Sequence, residues 1–378
     1  MRKTKVIFLM HQIITGGIEK VLLQILEKLK KYPEYEITVL SHRRVTEKWA
    51  LDFFREHGIA LINHDIYAMI RRRPSFWPIR RVWKFFVTRR VRKIHKDLFS
   101  QYDLIVDYFN MSFQFDLRKA PNPKIAFGHY SINAFNRYSH IRYLRYYDKF
   151  VCLSDSFMRD FINEYPSFKD NIVKIYNPID CERVRKNLKS AQPPVGEKYF
   201  VSVARLETEE KDPETLIHAF AKFAAGSPDA KLYMLGDGPA RVEMESLSAE
   251  LGMQEKIKFM GTVDNPFGYM KNCTGLIMSS RSEGLPNVLL EAQCLGALCI
   301  ASNCKSGVAD VLLDGQAGIL FPVGNADALA DIMGRVWRGE VDRDTMLQNA
   351  TDGLVRFDAD TIVAQMDNLF KEAIKDCK

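Results

Sequence analysis

The fold is indicated most clearly by the stretch Leu276-Ile-Met-Ser-Ser-Arg-Ser-Glu-Gly-Leu-Pro-Asn-Val-Leu-Leu-Glu291. An apolar run of strand length, Leu276–Met278, leads into a polar loop. A helix is predicted over Pro286–Leu295, because proline is favoured in the first helical turn, where its missing N–H would have no partner anyway. A strand, a loop and a helix in succession form the repeating unit of a parallel α/β sheet.

The same alternation continues on both sides of this stretch. It is interrupted at Lys189–Gly196, a short polar segment with two prolines that is typical of a linker. Because 378 residues are too many for one ordinary hydrophobic core, we predict an α/β protein of two doubly wound, Rossmann-like domains. Such domains bind ligands at the carboxyl ends of their strands and would face each other across a cleft.

Composition excludes several classes of protein. Hydrophobic residues make up 47% of the chain and charged residues 27%, the balance of a globular protein. No apolar run approaches the roughly 20 residues of a membrane span, and Val6–Met10 is interpreted as a first strand rather than a signal peptide. The seven cysteines are scattered and include no Cys-x-x-Cys pair. They indicate reduced cytoplasmic thiols rather than disulfides or a cysteine zinc site.

Charge is distributed unevenly along the chain. Residues 1–189 carry 36 Lys and Arg against 19 Asp and Glu, whereas residues 190–378 carry 18 against 28. Eleven of the cations fall between Arg71 and Lys96, interleaved with large aromatic residues and with no acid among them. This pattern favours docking on an anionic membrane surface. A solvated helix face over ordinary core aromatics, or a nucleic-acid site, would also account for it.

Two carboxylates mark the candidate site. Glu283 lies in the loop before the predicted helix and Glu291 in its second turn. The free N–H groups at the start of that helix suit a phosphate, whereas carboxylates repel phosphate and accept hydrogen bonds from sugar hydroxyls. A ligand with both a diphosphate and a sugar fits this combination. Taken alone, the two glutamates are better explained as a solvated loop residue and a surface helix residue.

Two cations follow the predicted strand Tyr199–Val203. Arg205 and Lys211 could clamp a diphosphate, or they could simply pair with Glu207, Glu209 and Glu210 nearby at little gain in stability.

Two glycine-containing turns complete the pattern. Leu235-Gly-Asp-Gly-Pro239 is a weak signal alone, since such turns occur throughout α/β folds. His11-Gln-Ile-Ile-Thr-Gly16-Gly17 lets a ligand approach the backbone closely. It lacks both the Gly-x-Gly-x-x-Gly fingerprint and the P-loop lysine, which counts against dinucleotide oxidoreductases and nucleoside triphosphatases.

Together these motifs resemble those of retaining glycosyltransferases of family 4, also called group 1, which have the GT-B fold. The resemblance covers nearly the whole chain. It is carried by the Glu-x7-Glu pair, the Arg205 and Lys211 pair, Leu235–Pro239, Ile257–Val263 and Asp314–Pro322, and in the first half by the double glycine, Phe127-Gly-His129 and Asn177–Asp180. It implies an acceptor-binding domain over 1–188, a nucleotide-sugar domain over 189–358, and a C-terminal helix, about 359–378, that packs back on the first domain.

The resemblance also implies roles for individual residues. Arg205 and Lys211 would neutralise the diphosphate, Glu291 would hold the ribose, Glu283 and His129 would contact the donor sugar, and the backbone near Val263 would meet the base. Glu283, His129, Arg205 and Lys211 are thus the expected catalytic residues; a satisfied histidine at a strand end is the alternative for His129. The nucleotide-sugar contacts are completed by Gly16, Gly17, Gly236, Gly284, Leu285, Asn287 and Val288.

The implied activity is transfer of a sugar, with retention and without a metal or other cofactor, from a nucleotide-diphosphate sugar. A UDP-sugar is the favoured donor, and the acceptor would be a lipid-linked or polysaccharide hydroxyl in bacterial cell-surface glycan synthesis, at the inner face of the cytoplasmic membrane. Alternatives are a GT-B-type sugar-nucleotide epimerase or phosphorylase, and a basic nucleic-acid-binding protein; nucleic acid is not an expected partner.

Overall fold

The structure is a computed structural model. It describes residues 2–14, 16–63, 77–129, 132, 136, 141–189, 194, 196–304 and 307–377. The chain divides into two compact units. Unit 1 comprises Met1–Leu153, Met158–Pro178 and Ala359–Lys378, and unit 2 comprises Ser154–Phe157 and Ile179–Asp358.

Unit 1 is built on a seven-stranded parallel sheet with the order β3-β2-β1-β4-β5-β6-β7. The central strand β1 contains the run Val6–Met10, in which every residue is buried, as expected for a strand covered on both faces. The strands are β1 (Thr4–Met10), β2 (Tyr35–Ser41), β3 (Ala60–Asn63), β4 (Leu104–Asp107), β5 (Lys124–Gly128), β6 (Lys149–Cys152) and β7 (Ile172–Lys174).

The first helix of unit 1 has the buried apolar face that is expected of a helix covering a sheet. In the first helix the buried residues Val21, Leu22, Ile25, Leu26 and Leu29 follow helical spacing. The helices, together with one that begins in the short Ser154–Phe157 segment of unit 2, are α1 (Gly17–Leu29), α2 (Lys48–His57), α3 (Trp77–Phe99), α4 (Gln114–Leu117) and α5 (Asp155–Glu164). Two 3₁₀ segments cover Ile141–Tyr146 and Pro166–Asn171.

Unit 2 repeats the design with six parallel strands in the order β10-β9-β8-β11-β12-β13. Counted within the unit, this is the 3-2-1-4-5-6 order of the doubly wound fold. The strands are β8 (Tyr199–Val203), β9 (Lys231–Leu235), β10 (Ile257–Gly261), β11 (Gly275–Met278), β12 (Cys299–Ser302) and β13 (Ile319–Phe321).

Helices again cover the sheet of unit 2, and the chain ends in one more helix that belongs to unit 1. They are α6 (Cys181–Leu188), α7 (Thr208–Lys211), α8 (Pro213–Ala224), α9 (Arg241–Glu250), α10 (Phe267–Asn272), α11 (Asn287–Cys294), α12 (Val308–Leu312), α13 (Ala326–Arg338), α14 (Arg343–Gly353) and α15 (Ala359–Asp376). The 3₁₀ segments Leu313–Gly315 and Leu354–Phe357 lie between them. The predicted Rossmann-like architecture is therefore confirmed in both units.

The division between the units does not follow the chain in two simple blocks. The chain enters the main part of unit 2 after Pro178, ten residues before the end of the first domain expected from the sequence. Helix α6 therefore belongs to unit 2. Helix α15 packs against α1 and β4 of unit 1. There the hydroxyl of Tyr35 donates a 2.6 Å hydrogen bond to Asp367, and Lys28 pairs with Asp360 at 3.0 Å.

One expectation about the cysteines is wrong. Cys181, at the start of α6, forms a disulfide with Cys294, at the end of α11. The two lie 113 residues apart in the chain, so spacing within a short motif could not indicate the pairing. Among the described residues the other five cysteines are free, and four of them are buried.

The basic, aromatic segment is described only in part. Residues 71–76, and the side chains of residues 77–81 and 84, lie outside the described residues. The rest forms α3, in which Val91, His95 and Phe99 are buried while Phe85 and Phe86 are 61% and 63% exposed. None of the described helices is both long and apolar enough to cross a membrane.

Candidate functional site

The predicted site residues of unit 2 gather where its strand order reverses. Strands β8 and β11 are neighbours in the sheet, yet the chain leaves them toward opposite sides, which opens a crevice at their carboxyl ends. A pocket lies at this position. Its lining includes Ala204 and Arg205 after β8, Lys211 of α7, and Ser279 and Ser280 after β11.

An ion pair joins two of the predicted residues beside this pocket. Nζ of Lys211 lies 2.7 Å from Oε1 of Glu283, and the same carboxylate accepts a 2.7 Å hydrogen bond from the hydroxyl of Ser280. The side chains of Lys211 and Glu283 are only 22% and 13% exposed. Glu283 is therefore not a solvated loop residue, and Lys211 pairs across the fold rather than with the acids next to it in sequence.

The position of Lys211 is set by the short helix that carries it. Glu207 caps α7 by accepting hydrogen bonds from the N–H groups of Glu209 and Glu210. At the other end, Asp212 adopts a left-handed backbone conformation with φ of 46°, which aspartate tolerates better than most residues. The hydroxyl of Ser279 lies 3.1 Å and 2.8 Å from the carbonyl oxygens of Lys211 and Asp212. The end of β11 thus holds the lysine in place.

A cation that the sequence analysis did not select lies at the same point. The guanidinium of Arg281 is 2.8 Å from the carboxylate of Asp212, which is almost completely buried and also caps α8 through Thr215. The N–H of Arg281 donates to the carbonyl of Glu210 at 2.7 Å. The sequence offered one signal for these residues: Ser280 and Arg281 lie in the polar loop that follows β11, and Asp212 directly precedes Pro213.

Arg205 occupies a more open position. Its side chain is 63% exposed, and its guanidinium lies 4.0 Å from Glu207. That carboxylate is already engaged as the cap of α7. Local pairing therefore holds Arg205 only loosely, which leaves its guanidinium accessible from the pocket that it lines.

The glycine-rich turn after β9 is required by its contact with the loop after β8. A Cβ on Gly236, whose φ is 133°, would lie 1.9 Å from the carbonyl oxygen of Ala204, and one on Gly238 would lie 2.2 Å from that of Leu206. Gly236 also bridges to Gly261 at the end of β10, two residues before Val263. The predicted base contact at Val263 therefore adjoins this turn.

The start of α11 completes the site. Pro286 precedes the helix, which begins at Asn287 and not at the proline as expected, and no described side chain caps it. The N–H of Gly307 donates a 2.8 Å hydrogen bond to the carbonyl of Gly284, and a Cβ on Gly307 would lie 2.5 Å from Leu285. The contacts with Gly307 thus hold the loop that contains Gly284 and Leu285 in place. Val288 lies in the first turn of α11 and Glu291, which is half-buried, in the second.

The remaining predicted residues belong to unit 1. His129 directly follows β5 and is buried, and its Nε2 lies 2.7 Å from the carbonyl oxygen of Tyr108. Because a carbonyl only accepts, Nε2 carries the proton and Nδ1 is the acceptor. Burial lowers the pKa of His129 to about 4, so the ring is neutral near pH 7. The backbone N–H of His129 donates to Asn110 at 2.6 Å.

The double glycine has a local structural cause. Gly16 precedes α1 and Gly17 begins it. A Cβ on Gly16 would lie 2.4 Å from the carboxylate of Glu19. Glu19 is buried, and that burial raises its pKa to about 6. Gly16 therefore makes room for a glutamate of its own unit, whatever ligand the loop accepts.

Comparison with known families covers almost the whole chain. Residues 15–183 match the model named Glycosyltransferase Family 4, and residues 184–352 match the model named Glycosyl transferases group 1.

Curated relatives match over shorter stretches. A Campylobacter jejuni N-acetylgalactosamine-N,N'-diacetylbacillosaminyl-diphospho-undecaprenol 4-alpha-N-acetylgalactosaminyltransferase is 32% identical over 41% of this chain. A Salmonella typhimurium lipopolysaccharide 1,6-galactosyltransferase is 29% identical over 53% of this chain. The matches span 41% and 56% of those two relatives, which is about half of their length.

Solved structures match over the full chain. HepE of Anabaena in complex with UDP superposes with a TM-score of 0.76 at 18% identity, over 98% of this chain and 100% of that one. The apo form of the lipopolysaccharide outer core galactosyltransferase WaaB gives a TM-score of 0.72 at 23% identity, over 98% and 100%. At these identities the likeness shows the fold, which is that of the GT-B enzymes.

Proposed function

Because the chain belongs to the group 1 and family 4 glycosyltransferases, we propose that it transfers a sugar from a UDP-sugar to a hydroxyl of a lipid-linked or polysaccharide acceptor. The product would be part of a bacterial cell-surface glycan. The names of the relatives support this choice of acceptor, since they include a diphospho-undecaprenol and a lipopolysaccharide galactosyltransferase. The structural neighbour with bound UDP supports the choice of donor.

The observation that carries the proposal is the ion pair of Lys211 and Glu283 at the β8 and β11 strand ends. A single Lys–Glu pair gives a sugar diphosphate both of the groups it needs. The ammonium faces the phosphates, and the carboxylate accepts hydrogen bonds from sugar hydroxyls. Arg205 adds a second accessible cation, and the start of α11 adds backbone N–H groups for phosphate.

Catalysis would follow from where charge develops. When the anomeric C–O bond breaks, negative charge grows on the departing UDP, and fixed cations together with a helix N-terminus stabilise it. We propose retention by attack of the acceptor on the face that UDP leaves, with the departing phosphate oxygen taking the acceptor proton. Glu283 is engaged by Lys211 and Ser280, which argues against its being the nucleophile of a double displacement. Because Arg205 and Lys211 supply the positive charge, no metal is assigned to the step.

His129 would orient the donor sugar. With Nε2 committed to Tyr108, the acceptor nitrogen Nδ1 is suited to a sugar hydroxyl, whereas a neutral ring with a lowered pKa offers no positive charge to the transition state. Its role would therefore be positioning of the sugar rather than electrostatic stabilisation.

Membrane docking through α3 is the second part of the proposal. Val82, Phe85 and Phe86 are exposed, and at helical spacing they share one face with the exposed Arg89 and Lys93. The buried residues Val91 and His95 lie on the opposite face. An exposed apolar strip that continues into cations matches a bilayer surface, where rings enter the interface and cations meet anionic headgroups. The enzyme would work peripherally at the cytoplasmic face of the inner membrane.

A donor and acceptor assay tests the proposal. Purified protein is incubated with a panel of nucleotide sugars, with and without a lipid-linked glycan acceptor, and free nucleoside diphosphate is measured. Release that requires the acceptor, an α-linked product from an α-linked donor by NMR, and activity that survives EDTA are expected. Conversion or phosphorolysis of the sugar without acceptor would instead indicate an epimerase or phosphorylase.

A further inference from the structure

Three potential metal ligands from separate elements meet inside unit 1. They are His42, which follows β2, His95 of α3 and Asp116 of α4. One ligand atom from each, a ring nitrogen or a carboxylate oxygen, lies within 4.8 Å of the other two. The proposed function uses none of them.

Burial makes this cluster unusual. His95 is 1% exposed, yet neither of its ring nitrogens has a hydrogen-bond partner among the described residues. Its Nδ1 lies 3.0 Å from a carboxylate oxygen of Asp116, but not in hydrogen-bond alignment. Buried polar atoms are normally paired, because an unpaired one loses the hydrogen bonds that it makes to water in the unfolded chain. We therefore expect the ring nitrogens of His95 to have a partner, such as a bound ion, that the described residues do not supply.

Ring packing accounts for only part of the arrangement. His42 stacks on Phe113 with 3.5 Å between ring centroids, and His95 stacks on Phe99 at 5.3 Å. These contacts explain why the rings are buried, but they satisfy no ring nitrogen. A contact between His95 and Asp116 would engage only one of the two ring nitrogens of His95.

We propose that His42, His95 and Asp116 bind a zinc-type divalent transition-metal ion that fastens α3 and α4 to the end of β2. Two imidazoles and one carboxylate form a donor set typical of such ions. Zinc bonds of about 2.0–2.2 Å in tetrahedral geometry place ligand atoms roughly 3.3 Å apart. The gap between His95 and Asp116 already matches this spacing, and a small side-chain movement would bring in His42. The side chain of Asp116 is 15% exposed, and we expect water to supply the fourth ligand.

The ion would have a structural task. The buried face of α3 contains His95, and the opposite face contains the exposed Phe85, Phe86, Arg89 and Lys93. A bond from His95 to the rest of unit 1 would therefore hold the proposed membrane-docking helix against the sheet. This role is separate from the sugar-transfer step, to which no metal is assigned.

Zinc and cobalt binding test the proposal on the full-length chain. The protein is prepared without a histidine tag and as Cys377→Ser, since Cys377 is an exposed free thiol that could bind metal. Equilibrium dialysis with Zn²⁺ should give one tight equivalent, and Co²⁺ should produce visible ligand-field bands that Zn²⁺ abolishes. Zn²⁺ should also raise the melting temperature and slow proteolysis within α3.

The variants separate a built site from surface binding. Asp116→Asn, at a partly exposed position, and His95→Gln should each weaken Zn²⁺ binding. The loss should exceed about 100-fold, because removal of an outer-shell partner alone typically costs about 10- to 100-fold. His218→Ala is the matched control, because His218 also lies near a carboxylate, Glu214, but its side chain is 38% exposed. Absence of tight zinc binding in the starting protein, or unchanged binding in Asp116→Asn, would overturn the proposal even if His95→Gln failed to fold.

Discussion

Nζ of Lys211 lies 2.7 Å from Oε1 of Glu283, so residues 72 positions apart in the chain form one ion pair at the pocket. In the absence of donor, each group keeps the other in place. In the proposed mechanism, the lysine binds phosphate oxygens of the nucleotide sugar and the carboxylate binds hydroxyls of its sugar. One ion pair would thus contact both the diphosphate and the sugar of the ligand. Substitutions of its two residues should therefore affect different steps, binding of the nucleotide or transfer of the sugar.

Removal of the diphosphate cations should lower turnover without unfolding the protein. Lys211→Ala and Arg205→Ala should each reduce kcat/KM by about 100- to 1000-fold, the usual cost of losing one contact made to developing charge. Lys222→Ala is the matched control, since Lys222 forms an exposed ion pair with Asp327 in the same unit. Steady-state kinetics and melting temperatures provide the measurement. Near-normal turnover in both site variants would remove the clamp from the mechanism.

The two carboxylates should separate binding from transfer. Glu291→Gln should weaken the affinity for free UDP, because its carboxylate would bind the ribose. Glu283→Gln should leave UDP affinity nearly unchanged and reduce transfer or sugar selectivity. Titration calorimetry with UDP and assays with several UDP-sugars measure the two effects. The reverse pattern would exchange the two assignments.

His129 should make stability depend on pH in a defined window. Burial lowers its pKa from 6.5 to about 4, so the unfolded chain binds a proton there that the folded protein excludes. The contribution of His129 is therefore complete above pH 6.5 and declines as the pH falls toward 4, by about 3 kcal/mol at most. Asp107 opposes this trend, because burial raises its pKa to about 7.

A comparison of variants isolates the histidine term. The difference in unfolding free energy between wild type and His129→Gln should be largest near pH 7.5 and should shrink toward pH 4. Chemical denaturation at a series of pH values measures it. A difference that is constant from pH 7.5 to 4 would mean that His129 titrates normally in the fold.

Helix α3 should direct binding to anionic membranes. Arg89→Glu combined with Lys93→Glu should weaken binding to anionic vesicles by at least roughly 30-fold, at about 1 kcal/mol per cation. Phe85→Ser combined with Phe86→Ser should reduce the part of binding that survives high salt, because ring insertion is not screened. Val242→Ser, at an exposed apolar position of unit 2, serves as the control in vesicle co-sedimentation.

Two outcomes would contradict membrane docking. Equal sedimentation of wild type and both double variants would make the exposed face of α3 a solvated surface. Tight binding of DNA or RNA that falls steeply with salt would favour the nucleic-acid alternative.

Thiol titration should detect the Cys181–Cys294 bond. The unfolded, unreduced chain should show five reactive thiols and the reduced chain seven. Cys181→Ser should lower the unfolding free energy by about 2–4 kcal/mol under oxidising conditions, because the bond closes a long loop. Cys377→Ser should have no such effect. Seven thiols before reduction would show that the pair is open in the protein as isolated.

Local patterns were sufficient for much of the fold. An apolar run such as Val6–Met10 indicates a strand, and a proline such as Pro213 indicates the start of a helix, from a few neighbouring residues alone. The predicted strands Tyr199–Val203 and Lys231–Leu235 therefore match β8 and β9. The start of α11 differed by one residue, because Pro286 adopts an extended backbone conformation before the helix.

The sequence by itself determined which groups could form a site, and the tertiary structure alone decided which of them meet. Glu283, Lys211 and Arg205 were recognisable because strand ends in a parallel sheet collect functional residues at one edge. The ion pair of Lys211 with Glu283, the Cys181–Cys294 bond and the cluster of His42, His95 and Asp116 join residues 72, 113 and at least 21 positions apart. No short-range pattern encodes such pairs, because strand order and helix packing bring them together only after the chain has folded.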